Sequence, residues 1–371
     1  MKGFEELGFE ELGVTKREYG RLASGQLIHE YTLNNGRGSS LSVINYGGTV
    51  TSLRMPDRHG NCANVVLDLA DLAAYVEHTA SFACIVGRYA NRIENGAFEL
   101  DGKFHQLNRN NGQHTLHGGA TGFGKVFWNI TAEPQTSSES VSVVLGLQSP
   151  DGDQGFPGQL SLQVRYTLTT NHEWHIDYEA ISDRATVLNL SSHCYFNLSG
   201  SGGDKESALA HELIINAKQY LSVTTEMIPE SLESVVGTPF DFRRATIINV
   251  SHKSNHPQIA KASGYDHNFV LDGRDRISQT PNLTRAATLT DRKSGRVLEI
   301  ETTEPGIQFY SGNHLGPHLQ GPSGRGYQSG DGVCLETQHY PNSPNRADFP
   351  STRLEPGQIF SSKTIHRFLV C

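Results

Sequence analysis

The chain has 371 residues and a formal net charge of −8, a balance that repels nucleic acid and anionic membrane surfaces and leaves a small neutral molecule as the natural partner. Only 36% of residues are hydrophobic while 38 are glycine, which suits short strands joined by turns and not a helical bundle. The N-terminus carries Glu5, Glu6, Glu10 and Glu11 where a signal peptide needs a basic start and an apolar core, and no run reaches the length of a membrane span, so a cytoplasmic location is expected.

Residues 1–13 read as an N-terminal extension containing Gly-Phe-Glu-Glu-Leu twice, from Gly3 and from Gly8, too short for a repeat architecture. Residues 14–371 are expected to form a single domain. Strand pattern begins near 41–54, and a short helix is predicted over Ala70–Glu77. Phe98–Leu107 reads as a hairpin, because Asp101-Gly102 supplies the positive φ angles of a two-residue turn. A strand is predicted at 140–147. Leu160, Leu162, Val164, Tyr166 and Leu168 then alternate with polar residues, as do Trp174, Ile176 and Tyr178, the period of half-buried antiparallel strands. Further strands are predicted near 211–216, 286–290, 296–302, 306–311, 332–338 and 363–370, with a second short helix over Pro257–Ala262. The connectors Ser199–Ser207 and Gly321–Gly332 read as surface loops. The expected fold is all-β, one large antiparallel sandwich with very few short helices, its site on a concave face or among the loops at one edge.

Five cysteines, Cys62, Cys84, Cys194, Cys334 and Cys371, lie far apart without CxxC spacing and are expected as reduced, buried thiols. The Asn-x-Ser/Thr triplets at Asn129, Asn189, Asn197, Asn249 and Asn282 are expected chance occurrences.

Candidate chemistry starts at Glu336, a carboxylate on a short apolar strand, costly to bury unless it acts; it is the first candidate for a base. If Leu190–Leu198 is a strand, His193, Tyr195 and Asn197 share one face while Cys194, Phe196 and Leu198 face the core. A histidine is suited to proton transfer near neutrality. His117 is followed by Gly118-Gly119, which lets backbone approach a ligand closely. Asn91 and Arg92, in Gly87-Arg88-Tyr89-Ala90-Asn91-Arg92-Ile93, could grip hydroxyls. Asp266, in Gly264-Tyr265-Asp266-His267-Asn268, and Gln308, in Gly306-Ile307-Gln308-Phe309-Tyr310, add a carboxylate and an amide among aromatic rings. Polar side chains beside flat apolar faces are what a sugar site needs.

With these motifs in order, together with Asn45-Tyr46-Gly47-Gly48 and Pro239-Phe240-Asp241-Phe242, the chain resembles the aldose 1-epimerase (galactose mutarotase) family from about Asn45 to the C-terminal strand. The resemblance implies a β-sandwich of galactose-mutarotase type, with Glu336 as catalytic base, His193 as catalytic acid and His117 assisting. Asn91, Arg92, Asp266 and Gln308 would bind sugar hydroxyls, and Tyr195, on the face of His193, is a further substrate contact. Interconverting α and β anomers of an aldose such as D-galactose or D-glucose means taking the C1 hydroxyl proton and protonating the ring oxygen. No metal or redox cofactor is required. His193 would be held protonated by Glu336 or Asp266. The partner is a monosaccharide, the assembly a monomer or homodimer. Two alternatives stand beside this reading: a glycoside hydrolase using Asp266 and Glu336 as paired carboxylates, and a sugar-binding protein without turnover. A metal site from His117, His193, Asp266 and Glu336 is conceivable by ligand type, although no short-spaced pair of ligands supports it.

Overall fold

The computed structural model describes residues 11–78, 80–200, 206–249, 255–273 and 283–371. The tandem repeat therefore falls mainly outside the described residues, as does Asn282. Antiparallel sheets dominate. A nine-stranded sheet runs in the order Asn129–Thr136, Ser140–Ser149, Leu160–Thr169, Glu173–Ser182, Ile359–Val370, Arg296–Thr302, Thr284–Thr290, Glu212–Ile215 and Thr246–Ile247. A six-stranded sheet runs Tyr195–Phe196, Val333–Gln338, Gly306–Tyr310, Asp266–Leu271, Ala217–Val223 and Pro229–Ser234, and a five-stranded sheet covers Gly13 to Asn64.

The alternation in the sequence becomes the core. Leu160, Leu162, Val164, Tyr166 and Leu168 are all buried on one strand and Trp174, Ile176 and Tyr178 on its neighbour. They join Leu33, Leu41, Val43 and Leu53 of the five-stranded sheet and Ile307, Phe309, Val333 and Leu335 of the six-stranded one in a single apolar cluster. The expected sandwich class is thus present. The hairpin pairs Ala97–Leu100 with Lys103–Gln106, with Asp101 and Gly102 both at positive φ. The helices at Leu72–Glu77 and Pro257–Ala262 lie where they were expected; the first starts at Leu72 because the Asp71 side chain accepts the Ala74 N–H at 2.9 Å and caps it.

Some expectations need correction. The stretch 41–54 is two strands, Ser40–Ile44 and Thr49–Pro56, since Gly47 and Gly48 both take positive φ and turn the chain. Leu190–Leu198 is not one strand: Ser191–Ser192 pairs with Ile85–Val86 and Tyr195–Phe196 pairs with Val333–Gln338, leaving His193 at the crossing between sheets. Of the thiols, Cys84, Cys194 and Cys334 are buried, whereas Cys62 is half-buried and Cys371 exposed. Asn189 and Asn197 are buried, so neither is open to a glycan in the folded chain.

A buried cation fixes the segment that leads into the site. Arg88, 2% exposed, donates to the carbonyls of Pro157 at 2.9 Å, Gly158 at 2.8 Å, Ser149 at 3.3 Å and Pro150 at 3.1 Å, and to the Ser149 hydroxyl at 2.6 Å. These bonds tie Gly87–Ile93 to the turn before the Leu160 strand. Arg88→Met keeps the apolar stem but leaves several buried carbonyls without donors, so urea unfolding should register a loss of about 3 kcal/mol or more. A change under about 0.5 kcal/mol would show that water replaces the guanidinium.

Candidate active site

Two central strands of the six-stranded sheet, Gly306–Tyr310 and Val333–Gln338, are buried along their whole length. Their register decides what faces the cleft. Gln308 pairs with Glu336, Tyr310 with Cys334, Asn268 with Gln308, Asp266 with Tyr310, and Tyr195 with Cys334. Directly paired residues share a face, so Tyr195, Cys334, Tyr310 and Asp266 form one row and Glu336, Gln308 and Asn268 the next. The opposite face carries Phe196, Leu335, Phe309 and Phe269, all in the core. A cleft of about 420 Å³ opens over the polar face, lined by Asn91, Arg92, His117, His193, Tyr195, Asp266 and Glu336 together with Tyr310, Asn111 and His314.

The structure brings Glu336 and His193 together. Glu336 is 2% exposed and His193 6% exposed, and His193 Nε2 lies 3.8 Å from Glu336 Oε1. Glu336 Oε2 is buried with no hydrogen-bond partner in the protein, an acceptor aimed at nothing within the fold. The His193 backbone is pinned from both sides, its N–H to the Cys84 carbonyl and its carbonyl by the Ala83 N–H, each at 3.0 Å. Its Nδ1 lies 3.5 Å from the Cys334 thiol.

His117 stands edge-on to His193, ring centres 5.2 Å apart. Its Nδ1 accepts the Asn91 N–H at 3.2 Å while its own backbone N–H donates to the Asn91 carbonyl at 3.1 Å. An accepting Nδ1 places the ring proton on Nε2. This bears on the metal reading. Ligand atoms of His117, His193 and Glu336 do lie within 4.8 Å of one another, but a His117 whose Nδ1 is spent on Asn91 offers a proton at Nε2 and no lone pair, so it acts as a donor in this arrangement.

Arg92 reaches Asp266, Nη1 to Oδ2 at 3.9 Å, and donates from Nε to Asn111 Oδ1 at 3.1 Å. Gln308 donates from Nε2 to Asp266 Oδ1 at 2.6 Å, so its amide holds Asp266 in place and does not itself line the cleft. Asn197, expected on the face of His193, turns away and binds the carbonyls of Glu206 and Asp331 at 2.9 and 2.7 Å. Tyr310, Asn111, His314 and Cys334 were not singled out. Tyr310 was legible, two residues past Gln308 on the same strand; His314 lies in a loop that no period reaches.

The charge states also depart from expectation. Burial lowers the His193 pKa to about 4, and the opposing influence of Asp266 does not overcome it. Burial raises Glu336 well above the usual carboxyl range, with Asp266 adding to the rise and Arg92 opposing it. His117 is likewise held neutral by burial, with His193 and Arg92 reinforcing it. Burial thus favours uncharged partners here, and the expected imidazolium is not the form it supports, because desolvation of the ring outweighs one neighbouring carboxylate.

Comparison with known proteins decides the family. The aldose 1-epimerase family model matches residues 29–367. The chain belongs to the aldose 1-epimerase family. It is 38% identical over 361 residues to galactose mutarotase of Bos taurus, covering 97% of this chain and 99% of that one, and 36% identical over 351 residues to aldose 1-epimerase of Escherichia coli K12, covering 93% and 96%. A crystal structure of galactose 1-epimerase from Lactobacillus acidophilus superposes with a TM-score of 0.83 at 30% identity, covering 97% and 99% of the two chains. As a member of the family the chain is an isomerase, and the hydrolase and inert-binder alternatives fall away.

The cleft depends on a glycine. Gly118 has φ +83°, and a Cβ there would collide with the Gly87 carbonyl. Gly118→Ala should therefore cost about 1–3 kcal/mol in urea unfolding and displace the adjacent His117, raising the Kd for galactose by calorimetry. Unchanged stability and affinity would show that this loop is not held as described.

Proposed function

We propose that the enzyme interconverts the α and β anomers of free aldoses such as D-galactose and D-glucose, with Glu336 and His193 as its acid–base pair and Asn91, Arg92, His117, Tyr195 and Asp266 as sugar contacts. The observation that carries this reading is the buried contact of Glu336 with His193 at 3.8 Å on the cleft wall. Ring opening needs one group to take the proton of the C1 hydroxyl while another protonates the ring oxygen, and ring closure after rotation about C1–C2 reverses both transfers.

The neutral resting pair and the reactive pair differ only in where one proton sits. Glu336 protonated with His193 neutral carries the same net charge as carboxylate with imidazolium. A bound sugar would give Glu336 Oε2 the hydrogen-bond donor it lacks, and donors to a carboxylate favour its ionised form. Sugar binding would thereby move the proton from Glu336 to His193 and arm both groups. His117 Nε2–H would supply a fixed donor beside them. Gln308 supports the site by holding Asp266. The free thiols are consistent with a reducing, cytoplasmic setting.

Glu336→Gln should abolish mutarotation measured by polarimetry on fresh α-D-galactose while leaving galactose binding measurable by calorimetry; near-normal turnover would remove Glu336 from the base role. His193→Gln should lower kcat by about 10²–10⁴, and a loss of only a few-fold would require another acid.

The pH dependence has a definite sign. Below about pH 4 His193 takes up a second proton, and above the raised Glu336 value the pair loses its last one. The single-proton pair therefore persists between these limits, and kcat/KM, which reports the free enzyme, should fall on the acid side only near pH 4. An acid limb at the ordinary histidine value of 6.5 would contradict the buried neutral pair.

A further inference from the structure

Beside the catalytic cleft lies a second cavity of about 470 Å³, and the two share Ser81, Asn111, Leu116 and His117 in their walls. The proposed mechanism uses nothing on its far side. That side is lined by Lys125, His78, Thr121 and Thr49 together with Tyr75 and Phe82, and no carboxylate is among the described residues that line it.

The polar inventory of this chamber is one-sided. The Thr49 hydroxyl is already spent on the Tyr46 carbonyl at 2.8 Å, and the Asn110 side chain is spent in both directions on the Leu116 backbone, at 2.9 and 2.8 Å. His78 Nδ1 accepts the Ala80 N–H at 3.0 Å, which puts its ring proton on Nε2. Lys125 is half-buried and has no ion-pair partner among the described residues. Burial lowers the His78 pKa first, and the neighbouring Lys125 ammonium adds to that. What remains is an ammonium, an imidazole N–H and the hydroxyls of Ser81 and Thr121, each able to donate, with a net positive charge and no anion among the described lining residues. A half-buried cation without a counter-charge is the arrangement that an incoming oxyanion stabilises, through charge-assisted hydrogen bonds.

We propose that this chamber is a second subsite which receives an oxyanionic group, phosphate or carboxylate, carried by the aldose bound in the catalytic cleft, with Lys125 as its charged anchor. The inference rests on the proposed sugar site and extends its substrate class to acidic aldoses. It requires no new chemistry: the anion stays unreacted while the anomeric centre is turned over next door.

The test measures by calorimetry, at fixed ionic strength, the Kd of the full-length protein for galactose, galactose 6-phosphate and galacturonate, in wild type, Lys125→Met and Lys125→Arg. At least one acidic sugar should bind wild type about tenfold or more tighter than galactose, and which one does so separates phosphate from carboxylate. That advantage should shrink to within about twofold in Lys125→Met and return in Lys125→Arg, while galactose itself stays within about twofold throughout. Acidic sugars that bind wild type no tighter than galactose would overturn the proposal, and so would an advantage that survives in Lys125→Met. Failure of galactose to bind or to be turned over by wild type would instead overturn the sugar-site reading. In that event inorganic phosphate decides the chamber alone: a rise in Tm in wild type that is lost in Lys125→Met upholds it, and its absence overturns it.

Discussion

One carboxyl buried against one imidazole is the constraint around which this molecule is organised. Glu336 and His193 lie 3.8 Å apart with almost no access to water, where two separate charges would each carry a heavy desolvation cost. The structure meets that cost by holding both groups uncharged, one proton between them. Such a pair is stable without substrate and needs only a redistribution of that proton to become a carboxylate and an imidazolium. On the proposed mechanism, the burial that disfavours the charged form without sugar would also keep competing water away from it once sugar is bound.

Four local features of the scaffold position the groups around this pair. Strands buried on both faces would ordinarily be apolar throughout, yet Gly306–Tyr310 and Val333–Gln338 place Gln308 opposite Glu336 and Tyr310 opposite Cys334, so that one face is polar and the other core. His193 comes from a break in the chain's strand structure, fixed by backbone bonds to Ala83 and Cys84. His117 comes from a turn locked to Asn91. Arg88, which does not line the cleft, anchors the segment that delivers Asn91 and Arg92. The site is precise because its side chains issue from elements whose own freedom is spent elsewhere.

How much of this was legible in the sequence follows from the range of each signal. Period-2 alternation named the strands around Leu160 and Trp174, and the same rule correctly put Cys194, Phe196 and Leu198 in the core. It failed at Asn197, because the strand assumed there is interrupted and no local pattern reports which sheet each half joins. Motif order named Glu336, His193, His117 and Asp266, which the fold gathers at one cleft, and the resemblance it carried led to the right family. The protonation states were out of reach. Neighbouring carboxylates in a sequence suggest a raised histidine pKa, but burial acts in the opposite sense and depends on everything packed around the ring. Gln308 was likewise identified without its geometry: an amide on the right strand turned out to grip Asp266. Tyr310, one period beyond Gln308, could have been read from the same alternation.

The account's central claim, a Glu336–His193 pair that rests neutral and is charged by sugar, is tested most directly by difference infrared spectroscopy of the Glu336 carboxyl at neutral pH. The free enzyme should show a protonated carboxylic band that is missing from Glu336→Gln and is lost when galactose is added. A Glu336 already ionised in the free enzyme, with no change on adding galactose, would contradict it.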